Sequence, residues 1–258
     1  MGNTTYREQM KTKWLKAEYL EGEVRQHIRD VTTVLDIGCG IVPQRYVRSL
    51  IHICCEPHKE YLQKLQDKLK DTHDRNYLFV NATWQEAVRL FPPKSVDTVF
   101  LLDVIEHLKK SEAKKLINQT EKIARRQIII FTPLGFASQH SKGGKDAWGL
   151  GGGTWQEHKS GWQPEDFGDG WKVFATKKFH IIDTLKKIRK KPVGAIFAIR
   201  DLEKPEPDLE KAANELCFKA VDAHSLAGLK ISIIFFSSWK KGKEVIWTAA
   251  KYFIKRKS

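Results

Sequence analysis

Two groups of residues in the sequence are of types that do chemistry when brought together. The first is Asp103-Val-Ile-Glu106-His107, with a further imidazole later at His158. If a helix begins at Asp103, then Asp103, Glu106 and His107 fall at i, i+3 and i+4 and share one face. Such a cluster supports either of two chemistries. It can hold a hard divalent ion through oxygen and nitrogen, or a carboxylate can fix the tautomer of His107 while that imidazole acts as a general base. The second group is Asp36, Gly38 and Gly40, followed by Glu56 at the end of the next apolar run. Glycines after a β-branched run read as a tight turn where backbone approaches a ligand closely. An acidic residue at the end of the next strand can accept hydrogen bonds from a ribose, so the spacing describes a nucleoside site.

The elements that must position these residues follow from the apolar pattern. Short apolar runs at 31–37, 50–55, 77–80, 96–102 and 127–131 read as strands, and amphipathic stretches at 58–70 and 84–90 read as helices between them. That alternation predicts an α/β fold with a mostly parallel sheet and helices on both faces. Both chemical groups then sit at carboxyl ends of strands, where open α/β sheets bind ligands. Residues 4–29 carry apolar positions at helical spacing and read as one or two helices leading into the first strand. Two later apolar runs, 172–182 and 193–200, read as an antiparallel pair at the sheet edge.

A dinucleotide site is disfavoured because Pro43 stands where the third glycine of G-x-G-x-x-G belongs, and Asp36 would repel a diphosphate. An acidic, glycine-rich turn suits a cation. S-adenosylmethionine carries an ammonium and a sulfonium and no phosphate. Val34-Leu-Asp-Ile-Gly-Cys-Gly40, Glu56 and the later segment 95–108, SVDTVFLLDVIEHL, resemble the nucleotide-binding core of class I S-adenosylmethionine-dependent methyltransferases, in the family's order and over residues 30–135. Val42 replaces the usual third glycine of the family's turn. The resemblance implies a Rossmann-like seven-stranded class I methyltransferase sheet, with S-adenosylmethionine held by Asp36, Gly38, Gly40 and Glu56 and its pocket bounded by Asp103. It also implies a polar contact to the adenine amino group at Asn81, Ala82 or Thr83. Read from the residues alone, 81–83 serve equally well as a cap for the helix at 84–90.

The stretch 133–163 is rich in glycine and carries Trp148, Trp155 and Trp162. A loop this long is commonly functional, and it is expected to be a mobile substrate loop whose indoles meet flat ligands. Its end, Glu157-His158-Lys-Ser-Gly-Trp162, together with the cluster at 103–107, resembles ubiquinone-pathway O-methyltransferases and the methyltransferases of small-RNA 3′ ends. In the RNA enzymes the matching positions bind a divalent metal, here Asp103, Glu106, His107 and His158, with Asp where those enzymes have Glu. The His-Lys-Ser-Gly-Trp wording is more similar to bacterial methyltransferases of glycan and secondary-metabolite pathways. Without a metal, His107 and His158 would act as base or substrate contacts. A hydroxyl acceptor must shed a proton and an amine need not, so these imidazoles point to O-methylation of a small-molecule or glycan or lipid-linked hydroxyl. The alternatives are an RNA methyltransferase and a non-catalytic partner subunit with the same fold.

A chain of 258 residues with 41% hydrophobic content can bury one α/β core with an appendage. Its formal charge of +14 implies an anionic partner, a membrane surface or simply a basic exterior. Cys39, Cys54, Cys55 and Cys217 lack C-x-x-C spacing and read as reduced core residues of a cytosolic protein. No apolar leader or spanning run is present, so a cytoplasmic location is expected. Residues 1–30 are expected to be a helical lead-in, 31–202 the methyltransferase domain, and 203–258 a basic amphipathic helical extension. Within that extension, 239–258 interleaves lysines with aromatic residues and is expected either to contact an anionic membrane peripherally or to dock on the core or a second subunit.

Overall fold

The computed structural model describes residues 12–139, 144, 146–182 and 188–202. The C-terminal extension, its segment 239–258 and Cys217 lie outside the described residues. Among the described residues eight strands form one sheet: β1 (Lys13–Trp14), β2 (Thr33–Ile37), β3 (Ile51–Glu56), β4 (Asn76–Asn81), β5 (Val96–Leu102), β6 (Ala124–Pro133), β7 (Trp171–Ile182) and β8 (Ile188–Asp201). Their order is β1-β7-β8-β6-β5-β2-β3-β4. Strands β2 to β6 are parallel to their neighbours, and β8 alone runs antiparallel, between β6 and β7.

Among the described residues four α-helices cover the faces: α1 (Ala17–Arg25), α2 (Lys59–Leu69), α3 (Trp84–Leu90) and α4 (Lys110–Ile123). The central strands are apolar almost throughout because both faces are covered, and alternate residues go to opposite layers. Leu35, Val99, Leu101, Ile128 and Ile130 meet Leu116 and Ile117 of α4 on one side. Val34, Phe100, Ile129 and Phe131 meet Leu20 and Val24 of α1 on the other. Cys39 and Cys54 are buried with Leu62 and Leu65 of α2, and Cys55 is buried as well. Among the described residues no helix is long and apolar enough to cross a membrane.

Three expectations change. The lead-in is not continuous helix where described, because Lys13–Trp14 pairs with Phe174 and Ala175 of β7 and adds an eighth strand. The last two strands are antiparallel to each other as expected, but β8 lies inside the sheet. Its residues Ala195–Ile199 are wholly or almost wholly buried, which an edge position would not provide. No helix begins at Asp103. A 3-10 turn at Ile105–His107 intervenes, and α4 starts only at Lys110. Leaving aside the two-residue β1, seven strands with one antiparallel member next to the edge give the Rossmann-like class I methyltransferase sheet.

Candidate active site

The glycine turn is built by hydrogen bonds to its own backbone. Gly38 and Cys39 donate to the Cys55 carbonyl at 2.7 and 3.3 Å, which bends the chain across the end of β3. Gly38 has φ +72, and a Cβ there would stand 2.7 Å from the Val104 side chain. Gly40 donates to Glu56 Oε2 at 3.0 Å, while His58 donates to Oε1 at 2.9 Å. Burial pushes the Glu56 carboxyl up, and these two N–H groups oppose that shift. Asp36 works from behind the turn. Its buried Oδ2 accepts the Gln44 N–H at 2.7 Å and faces His52 Nε2 at 3.4 Å. Gln44 Oε1 in turn accepts from Tyr46 and Val47.

At the end of β4, Asn81 donates its amide to the carbonyls of Glu56 and Pro57 at 2.9 and 3.0 Å. Thr83 is the cap of α3, in a capping box with Glu86. The capping role therefore falls to Thr83, while Asn81 ties β4 to the end of β3 and buried Ala82 donates to the Glu56 carbonyl at 3.2 Å.

Residues 146–152 form a latch over this region. Asp146 Oδ1 accepts from Trp148 and Leu150 at 2.7 and 3.1 Å, and Oδ2 from Gly152 and the Tyr61 hydroxyl at 2.6 and 2.8 Å. Partial burial raises the Asp146 carboxyl, but four donors outweigh it and hold the group at about 2. His58 Nε2 meets the Leu150 carbonyl at 2.8 Å. Trp148 packs edge-on against Tyr61, and its ring lies 3.2 Å from where a Cβ on Gly40 would be. Only glycine fits at 152, because a Cβ would be 2.2 Å from the Tyr61 hydroxyl.

The second group assembles at the ends of β5 and β6. Asp103 has φ +53, a left-handed conformation that costs a non-glycine residue roughly 1–2 kcal/mol. Its N–H donates to the Phe131 carbonyl at 2.9 Å. The carboxyl is exposed to a cavity yet deeply enclosed by protein, and that burial pushes it up to about 6. A 3-10 turn and not an α-helix carries Glu106 and His107. Glu106 is 2% exposed, its Oε2 accepts from Thr132 Oγ1 at 2.9 Å, and its Oε1 is buried without a hydrogen-bond partner. Burial, and then the charge of Asp103, push the Glu106 carboxyl well above its ordinary value.

Backbone contacts bring His158 to His107. The Glu106 carbonyl accepts from Lys159 and Ser160 at 2.7 and 3.1 Å, and Ser160 Oγ donates to the Ile105 carbonyl at 3.1 Å. Trp162 Nε1 donates to Ser160 Oγ, and Lys110 Nζ reaches the Gly161 carbonyl and Asp166 from above the indole ring. The expected ligand-stacking role fails for Trp162, which is wholly buried in the core. The two imidazoles meet with ring centroids 4.9 Å apart. His107 Nδ1 donates to the Glu157 carbonyl at 3.2 Å and His158 Nδ1 to the Ala137 carbonyl at 2.5 Å, which makes Nδ1 the protonated nitrogen in each neutral ring. Burial first, and then the neighbouring His158, depress His107 to about 4.

A cavity of about 540 Å³ joins the two groups. The turn 38–46, Asp103, Glu106, His107, Trp148 and His158 line it, whereas Asp36, Glu56, Asn81 and Ala82 do not. Its far wall holds residues that pattern alone did not single out, Phe131, Phe179, His180 and Arg189. Donor atoms of Glu106, His107 and His158 lie within 4.8 Å of one another, and Asp103, expected as a fourth ligand, is outside that group. One carboxylate and two imidazoles, with a buried carboxylate oxygen lacking a partner, fit a divalent transition-metal ion.

No protein-family model and no curated protein matches the sequence. Among solved structures, the fold is similar to magnesium protoporphyrin IX methyltransferase from Synechocystis PCC 6803 with bound SAM, at 15% identity over 71% of this chain and 76% of that one, TM-score 0.43. A SAM-dependent methyltransferase from Archaeoglobus fulgidus matches at 16% identity over 72% of this chain and 95% of that one, TM-score 0.43. The cyclopropane synthase MmaA2 from Mycobacterium tuberculosis matches at 18% identity over 51% of this chain and 47% of its own length, TM-score 0.36. Strand order, the single antiparallel strand among the described residues and a glycine turn after β2 together give this chain the class I methyltransferase fold.

Proposed function

We propose that the chain is an S-adenosylmethionine-dependent methyltransferase that methylates a hydroxyl of a small-molecule or glycan or lipid-linked acceptor. The observation that carries this reading is the pairing of Gly40 N–H with Glu56, beside a cavity whose other wall presents His107 and His158. Each Glu56 oxygen accepts one backbone N–H, which orients the carboxylate behind the cavity lining, and ribose hydroxyls would reach its remaining lone pairs as the latch over the turn opens. Gly38 and Gly40 let backbone approach the nucleoside, Asp36 holds their turn through Gln44, and Asp103 supplies an acidic wall for a cationic ligand. The bound cofactor supplies an electrophilic methyl group. The protein aligns the acceptor, and such positioning contributes up to roughly 7–11 kcal/mol. Oriented by its Nδ1 bond to the Ala137 carbonyl, His158 serves as the base that takes the hydroxyl proton. His107, depressed to about 4, is the weaker base and orients the acceptor. Calorimetry with S-adenosylhomocysteine tests the reading directly, and the absence of a saturable heat would end it. Transfer of tritiated methyl to lipid, glycan, RNA and protein fractions would then identify the acceptor class.

The latch over the glycine turn predicts a kinetic effect. Asp146→Ala removes four accepted hydrogen bonds, each to a charged group and contributing about 1.5–3 kcal/mol at most. Release of S-adenosylhomocysteine, followed by Trp148 fluorescence, is expected to accelerate on the order of ten-fold. An unchanged release rate would mean that the latch does not gate the site.

The orphaned Glu106 oxygen favours one elaboration, a divalent ion held by Glu106, His107 and His158. Such an ion acidifies a bound hydroxyl. Manganese or zinc should then give a saturable calorimetric signal that Glu106→Gln abolishes, and chelation should lower turnover. If EDTA leaves turnover unaltered, the two imidazoles act alone.

A further inference from the structure

The β7–β8 hairpin extends past the rest of the sheet. Strand β8 pairs with β6 only over Ala195–Asp201, and β1 covers β7 only at Phe174 and Ala175. Among the described residues, beyond Thr176 and Ala195 the two strands pair only with each other, at His180 with Val193 and Ile182 with Ile188. A lone two-stranded ribbon is marginal in water, and this one exposes large apolar side chains. Ile181, Ile182 and Ile188 are 56%, 53% and 85% exposed. Ile182 pairs with Ile188, and Ile181 stands beside them where the register shifts between His180 and Ile182.

Cations surround these isoleucines. Lys177, Lys178, Lys190 and Lys191 are exposed, Arg189 is half-buried, and no carboxylate occurs among the described residues of 177–193. In the sequence, 183–187 adds Lys186, Lys187 and one acid, Asp183. Beside the ribbon, exposed Trp14 lies under Lys177 Nζ, 5.8 Å from the ring centroid. Scattered exposed apolar residues are ordinary, but three isoleucines clustered on one projection within a ring of cations are not. An RNA-binding surface would offer aromatic platforms in place of exposed isoleucines. Exposed isoleucines, basic residues flanking them with no carboxylate among the described residues of 177–193, and an indole at the edge match an element that dips into the headgroup region of an anionic bilayer.

We propose that the β7–β8 hairpin docks the protein on an anionic membrane surface, with Ile181, Ile182 and Ile188 entering the interface and Lys177, Lys178, Lys190 and Lys191 contacting anionic headgroups. The ribbon also forms part of the cavity wall through Phe179, His180, Ile182 and Arg189. Resting on the methyl-transfer reading, this placement makes the acceptor an amphiphile that enters the cavity from the bilayer.

The test is sedimentation of the full chain with phosphatidylcholine vesicles, with and without about a third phosphatidylglycerol. The full chain is expected to pellet with the anionic vesicles and to be released by salt. Lys190→Ala/Lys191→Ala removes two cations that each contribute about 1 kcal/mol, so partition should weaken about thirty-fold. Ile181→Ser/Ile188→Ser should weaken it at least about ten-fold, and unchanged melting temperatures would show that both variants fold. Failure of the unaltered chain to pellet, or equal pelleting of the folded variants, would overturn the proposal. So would a Lys190→Ala/Lys191→Ala variant that loses RNA binding while keeping its vesicle binding. S-adenosylhomocysteine calorimetry is read separately: a chain that pellets normally but binds no nucleoside retains the docking surface and loses the methyl-transfer reading.

Discussion

Gly38→Ala is expected to lower S-adenosylhomocysteine affinity at least about 100-fold, close to 3 kcal/mol. Two independent penalties act at this position. A left-handed φ of +72 costs any side chain roughly 1–2 kcal/mol, and the new Cβ would meet Val104 Cγ2 at 2.7 Å. Val104 directly follows Asp103, so yielding there moves the acidic wall of the cavity while the methyl group itself fills the approach to the backbone. The melting temperature should fall by only a few degrees, because Val104 is a side chain that can shift. Gly40→Ala is the informative comparison. Its φ is +55, but the new Cβ would meet Trp148 of the latch at 3.2 Å, so the strain falls on the latch and not on the core. Calorimetry of both variants checks this order, and near-native affinity for Gly38→Ala would mean that the nucleoside does not lie against this turn.

His158→Ala is expected to reduce turnover about 10²- to 10⁴-fold, the range for loss of a general base. Affinity for S-adenosylhomocysteine should stay within about two-fold, because His158 stands on the acceptor side of the cavity, across from the glycine turn. His107→Ala should cost less, since a base depressed to about 4 removes a proton poorly at neutral pH. Ser160→Ala separates positioning from chemistry. Ser160 bridges the Ile105 carbonyl and Trp162 Nε1, so its loss should loosen the placement of His158 and raise the KM for acceptor more than it lowers kcat. Steady-state kinetics with a tritiated methyl donor measure all three. Equal turnover by His158→Ala would remove that imidazole from the mechanism.

The nucleoside half of the site was legible in the amino-acid order because it depends on short-range facts. Buried parallel strands need unbroken apolar runs, a turn at positive φ needs glycine, and the acid that faces the turn sits at the end of the adjacent strand. Strands β2, β3 and β5 accordingly lie within a residue or two of their apolar runs. Roles within that half were less legible. Asp36 and Glu56 both look like ligand contacts in sequence, and the packed chain shows the further work each does: Asp36 Oδ2 holds Gln44 and faces His52, while Glu56 holds the Gly40 and His58 N–H groups.

The acceptor half depended on tertiary contacts. Helical spacing suggested one face for Asp103, Glu106 and His107, but Asp103 adopts a left-handed conformation to bond Phe131, and the 3-10 turn sends Glu106 inward to Thr132. His158 joins His107 because the Glu106 carbonyl binds the Lys159 and Ser160 N–H groups, a backbone contact that leaves no mark on side-chain pattern. Amino-acid order alone determined that a glycine turn would face an acidic strand end, since strand burial and backbone geometry are local constraints. Which imidazoles meet, which carboxyl is orphaned and which ribbon stands beyond the sheet were decided only when distant segments packed, because those outcomes depend on backbone groups that every residue shares.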